Sequence, residues 1–195
     1  MNVSESNQTV EKAIIVSDGC CVRLGDSSVL DDVTFSIEKG KKVAVVGPNG
    51  GGKSTLFNAI TGLLPIDNGS LTIYGKKPEE VRGSISYVPQ KDLLNKNFEL
   101  TVKQVVEMGL IGKKTLSIFS QRKTNLKIQK SLESVGLLEK IDENINNLSG
   151  GQFQRVLIAR GLAQNADILI LDEAFSAVDV GCLLYTSDAA DEDLR

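Results

Sequence analysis

Gly47-Pro48-Asn49-Gly50-Gly51-Gly52-Lys53-Ser54 is the stretch on which the fold turns. It satisfies the pattern G-x-x-x-x-G-K-[ST], and its flanks suit it. The apolar run 43–46 leads in as a predicted strand, and residues 54–61 lead out as a predicted helix that Gly62 stops. Glycines let successive backbone N–H groups turn inward around an anion, and the amino terminus of the following helix adds its positive end. Lys53 is then placed to reach the outer phosphates of a nucleoside triphosphate, and the Ser54 hydroxyl to hold magnesium. The full pattern is rarely met by chance in a chain this long, which disfavours a glycine turn of purely structural use.

Outward from the loop, residues 13–16 and 33–37 read as short strands, with Gly40 and two lysines turning the chain before residue 43. Residues 71–74 and 85–88 read as two more. Between 101 and 145 the period changes: Val102, Val105 and Val106, then Ile128, Leu132 and Val135, fall at helical spacing among polar residues. A helical lobe between two sheet-like halves is expected. Its basic middle, residues 113–127, reads as a solvated loop or helix face in preference to a binding patch.

Composition narrows the function. With 195 residues, 41% of them hydrophobic, the chain can bury a core as one globular unit, with room for an inserted lobe. A net charge of -3 and a pI near 5.1 give no overall pull toward nucleic acid or an anionic membrane. No apolar run approaches the roughly 20 residues that span a bilayer, and the first residues are polar without an apolar signal segment, so a cytoplasmic chain is expected. The three cysteines, with Cys20 and Cys21 adjacent, suit strand packing better than a disulfide framework or a zinc site. Histidine is absent. The usual general base is therefore missing, and a catalytic base has to be a carboxylate.

Two further stretches carry chemistry. Ile168-Leu169-Ile170-Leu171-Asp172-Glu173 is a continuous apolar run ending in acids, the pattern of a strand buried on both faces with its acidic end where ligands bind. Alone, such a pair is more often a helix cap. Beside the glycine loop, Asp172 reads as a magnesium ligand, direct or through water, and Glu173 as the acceptor of a proton from attacking water. Leu148-Ser149-Gly150-Gly151-Gln152 opens a helix predicted to run through Ala163, so Ser149, Gly150 and Gly151 offer a second set of N–H groups to phosphate. Taken by itself, Ser-Gly-Gly would be an ordinary serine cap.

Residues 148–155, Leu-Ser-Gly-Gly-Gln-Phe-Gln-Arg, resemble the signature motif of the ATP-binding cassette (ABC) ATPases, and the order of the other motifs agrees. Residues 47–55, ending in Thr55, are similar to their Walker A, 87–90 to their Q-loop, 168–173 to their Walker B and 176–179 to their D-loop. The resemblance covers residues 13–181. It implies an α/β fold: a P-loop NTPase core with a mixed sheet (13–90 and 148–181), a Q-loop exit and helical subdomain (91–147), and a polar segment (1–12) in front. It also implies ATP and Mg2+ as cofactors, Gln90 as a sensor of γ-phosphate and magnesium, and Asp179 at the nucleotide. Ser149 and Gly151 would complete the site of a second ATPase subunit in a head-to-tail dimer. Residues 97–109, 161–164 and 171–179 are similar to the ATPases of manganese, zinc and iron-chelate importers. That likeness implies integral-membrane permease subunits as partners, an extracytoplasmic solute-binding protein indirectly, no nucleic acid, and a peripheral place on the cytoplasmic face of the membrane. The soft ligands are too few for this chain to bind the cargo metal itself.

The chain also departs from the family pattern. Leu24, in Val22-Arg23-Leu24-Gly25, stands where the family places an aromatic against adenine, and Ala174 where proline is common. No switch histidine follows residue 173. Residues 182–195 resemble the translation of a transposase sequencing adapter, so a C-terminally truncated cassette with an artefactual tail is expected. Two alternatives stay open: a soluble ABC protein acting on ribosome or DNA, which the single cassette, the lack of coiled-coil arms and the acidic balance disfavour, and a fragment that binds nucleotide without turnover.

Overall fold

The computed structural model describes residues 13–89, 99–111 and 118–172. Gln90, Glu173, Ala174, Asp179 and the suspected tail 182–195 lie outside these residues. The chain divides into two compact units, residues 1–85 and 86–195.

In the first unit, strand β1 (Ala13–Leu24) pairs antiparallel with β2 (Ser27–Glu38) on one edge and β3 (Asn68–Ile73) on the other. Both β1 and β2 run well beyond the predicted 13–16 and 33–37. The reason is a bulge. Ile15 and Ser17 are buried, then Cys20 and Val22, so the inward alternation slips by one residue at Asp18-Gly19, where the register shifts and Gly19 takes φ 59°. A Ser-Asp-Gly that looks like a turn in sequence is here a kink inside a continuing strand. Cys20 is fully buried in this strand, and burial raises its thiol pKa, in keeping with a packing role.

The predicted strand at residues 43–46 does not form. Residues 41–48 carry no regular structure, and Val43, Val45 and Val46 are 59%, 39% and 91% exposed. A run apolar on both faces becomes a strand only with neighbours along its edges. Both edges of β1 are already taken by β2 and β3, and among the described residues nothing pairs with 43–46. Helix α1 (Lys53–Ile60) does form after the loop. It buries Leu56, Ala59 and Ile60, and Gly62, at φ 69°, ends it by donating to the Ala59 carbonyl.

The second unit holds helices α2 (Val102–Met108), α3 (Ile118–Glu133) and α4 (Gly150–Ala163). The predicted helical lobe is present. Val102, Val105, Val106, Ile128, Leu132 and Val135 all enter one core with Phe153, Val156, Leu157 and Ile158 of α4. Of the basic run, Arg122, Lys123 and Lys127 lie exposed on α3, a solvated face as expected. Strand β4 (Ile85–Val88), at the boundary of the units, pairs with β5 (Ile168–Leu171), so the described strands fall into two sheets. Gly161 brings α4 onto this pair: a Cβ there would lie 3.0 Å from Ser86 Oγ, 3.1 Å from Val88 Cγ2 and 3.2 Å from Leu169 Cδ1. Among the described residues no helix is long and apolar enough to cross a membrane.

Candidate functional site

The glycine loop owes its shape to backbone freedom at two positions. Gly50 and Gly52 have φ of 79° and 80°, a region costly for residues with a Cβ. At Gly52 a Cβ would also sit 2.9 Å from Leu30 Cδ2 and 3.1 Å from the Val29 carbonyl oxygen, so the loop rests directly on β2. Gly51 donates its N–H to the Pro48 carbonyl at 3.1 Å, closing a tight turn. From the far side of that turn Lys53 reaches back, its Nζ donating to the carbonyls of Gly47 at 3.0 Å and Pro48 at 2.8 Å.

This geometry suits an anion. Helix α1 is capped by Gly52 with no side-chain acceptor, and its first turn holds no acidic residue. Among the described residues, no backbone carbonyl accepts from the N–H groups of Lys53, Ser54 or Thr55. Unpaired donors at a helix start, a lysine whose own bonds are to neutral carbonyls, and an exposed serine hydroxyl at Ser54 form a donor-rich, acceptor-poor cradle. That set fits a polyphosphate with a magnesium ion. Leu24 lies 47% exposed at the end of β1.

The acidic element belongs to the second unit. Asp172 follows β5 directly and is 3% exposed. Its N–H donates to the Val88 carbonyl at 2.9 Å, and its Oδ2 accepts from the Tyr87 hydroxyl at 3.2 Å. Burial first, then the charge of Asp172 and the hydrogen bond to it, push the Tyr87 pKa up to about 12. The phenol therefore stays protonated near neutral pH and donates. In sequence Tyr87 belongs to the Q-loop-like stretch 87–90, where Gln90 alone is assigned a chemical role. Its signal was a polar aromatic on a short apolar strand, but nothing in the chain order told which strand β4 would join.

The third element is Ser149, the N-cap of α4, as expected. It forms a reciprocal box: Ser149 Oγ accepts from the Gln152 N–H at 3.3 Å, and Gln152 Oε1 accepts from the Ser149 N–H at 2.9 Å. Gly150 and Gly151 are exposed beside it. The helix meets the β4–β5 pair at Gly161, twelve residues on, about 18 Å along its axis from Ser149. Residues 47–55 are thus gathered in the first unit, and Asp172 and Ser149 lie in the second, with Gln90, Glu173 and Asp179 outside the described residues.

A glycine cradle opens a helix in one unit, and a buried aspartate follows an apolar strand in the other. The family model described as ABC transporter matches residues 30–176, and the chain belongs to that family. The chain is 40% identical over 163 residues to the manganese transport system ATP-binding protein MntB of Bacillus subtilis, covering 83% of this chain and 65% of that protein. It is also 40% identical over 151 residues to the zinc transport system ATP-binding protein TroB of Treponema pallidum, covering 77% and 57%. Among solved structures it is similar to an ATP-binding cassette of an ABC transporter in its ADP conformation, with a TM-score of 0.71, 30% identity, and coverage of 88% of this chain and 72% of that one. The chain spans less than two thirds of the length of these two transport proteins.

Proposed function

We propose that the chain is the ATP-binding and ATP-hydrolysing part of an ABC transporter that energises metal-ion import through separate membrane subunits. The observation that carries this reading is the cradle itself, with unpaired amides at the start of α1 and Lys53 folded across its own loop. Manganese and zinc transport systems among the relatives support the metal cargo.

In this reading Gly47, Pro48, Asn49, Gly50, Gly51, Gly52 and Thr55 wrap the triphosphate, and Lys53 exchanges two carbonyl bonds for charge-assisted bonds to phosphate. Ser54, Asp172 and Gln90 would hold Mg2+, which when bound supplies neutralisation of charge on the transferred phosphoryl group. Glu173 accepts the proton of the attacking water, and Gln90 links the site to the membrane subunits. Ser149, Gly150, Gly151 and Asp179 serve the nucleotide of a second ATPase subunit, head to tail. The nucleotide-binding core is residues 13–90 and 148–181, with 91–147 as the helical subdomain between them. The chain lies peripherally on the cytoplasmic face of the membrane, beneath permease subunits that receive cargo from an extracytoplasmic solute-binding protein.

Calorimetry with Mg-ATP tests the reading, and the absence of any heat of association would sink it. Glu173→Gln is expected to keep binding while turnover falls by roughly 10²- to 10⁴-fold, the share of a general base. Turnover at the wild-type rate would rule Glu173 out.

A further inference from the structure

Asp172 is tied at both its backbone and its side chain to one dipeptide. Its N–H bonds the Val88 carbonyl, and its carboxylate takes the hydroxyl of Tyr87, the preceding residue on β4. At 3% exposure, solvent can do little for this carboxylate, and Tyr87 is its one side-chain donor among the described residues. A phenol gives a single hydrogen, here to Oδ2, so among the described residues Oδ1 and the remaining lone pairs stay available to another partner. The ring of Tyr87 is itself half-buried on a strand whose other residues are buried, which limits how far the hydroxyl can swing.

Resting on the proposed role of Asp172 as a magnesium ligand, we infer that Tyr87 is the positioning residue of that ligand. Its O–H holds the carboxylate in one rotamer and leaves the free lone pairs for the cation. Donors behind a metal-ligating carboxylate set the ligand's orientation, and removing one typically lowers metal affinity by about 10- to 100-fold. Tyr87 touches neither nucleotide nor water in this scheme. Its loss acts through Asp172 alone.

The test uses Mn2+ as a paramagnetic stand-in for Mg2+, titrated into the chain with ATP and followed by electron paramagnetic resonance. ATP binding in the presence of a chelator is measured alongside. Tyr87→Phe is expected to weaken Mn2+ binding by about ten-fold or more, leaving metal-free ATP binding unchanged. p-Aminophenylalanine at position 87, which returns a donor to the same place, should restore it to within about three-fold, the small residue of a ten-fold loss. A Tyr87→Phe protein that folds and binds Mn2+ like the wild type overturns the positioning role. So does a loss that p-aminophenylalanine leaves uncorrected. If Tyr87→Phe does not fold, p-fluorophenylalanine fills the hydroxyl's space without donating, and the same two comparisons decide. A wild-type chain whose nucleotide binding ignores the metal defeats the underlying functional reading instead, whatever the variants do.

Discussion

Two helix starts in this molecule are built from glycines and a serine, yet they meet their unpaired amides in opposite ways. At α1 the cap is Gly52, left-handed and without a side chain, and no acidic or polar side chain closes the first turn. At α4 the cap is Ser149, and Gln152 returns the bond, so the helix satisfies part of its own start. The first is open to an anion as it stands. The second offers Gly150 and Gly151 but must share Ser149 with Gln152. The difference teaches that glycine content alone does not make a phosphate site; what matters is whether the helix start has already been filled by its own chain.

The comparison breaks most visibly at Lys53. Lys53→Ala removes the ammonium that crosses the loop, and with charge-assisted bonds worth about 1.5–3 kcal/mol each, ATP affinity should fall at least about 100-fold by calorimetry. The fold should survive, since among the described residues the lysine bonds only to the loop carbonyls of Gly47 and Pro48. Affinity within a few-fold of wild type would mean that α1 is an ordinary glycine-capped helix.

Next comes Gly52→Ala. The positive φ and the 2.9 Å approach to Leu30 together should cost about 2 kcal/mol in urea unfolding. Ser149→Ala should cost about 1 kcal/mol, the usual worth of a serine cap, and unchanged stability would mean the reciprocal box contributes nothing. Gly150→Ala sharpens the contrast at the small end. A Cβ there meets nothing within 4 Å, so the unfolded chain loses freedom at no steric cost and stability should rise by about 0.5–1 kcal/mol. A destabilised Gly150→Ala would show that this helix start is as constrained as the first.

Much of the fold was legible because its signals are local. The spacing of Val102, Val105, Val106, Ile128, Leu132 and Val135 announced the helical lobe, and residues 85–88 and 168–171 form strands at the predicted bounds. The cradle, the Ser149 cap and the acid after β5 were legible for the same reason, each being a short stretch with one chemistry. The failures were non-local. Residues 43–46 have the apolar content of a strand but gain no partner among the described residues, and β1 continues through Asp18-Gly19 because β2 and β3 hold both its edges across the bulge.

What the chain's order of residues determined by itself, then, is the set of local devices: glycines where φ must turn positive, a lysine and serine at a helix start, apolar periods that choose helix or strand. Only tertiary structure decided which strands pair, and with that pairing which hydroxyl meets Asp172. Pairing depends on edges and burial contributed by residues far apart in sequence, and no local pattern encodes the neighbour a strand will find.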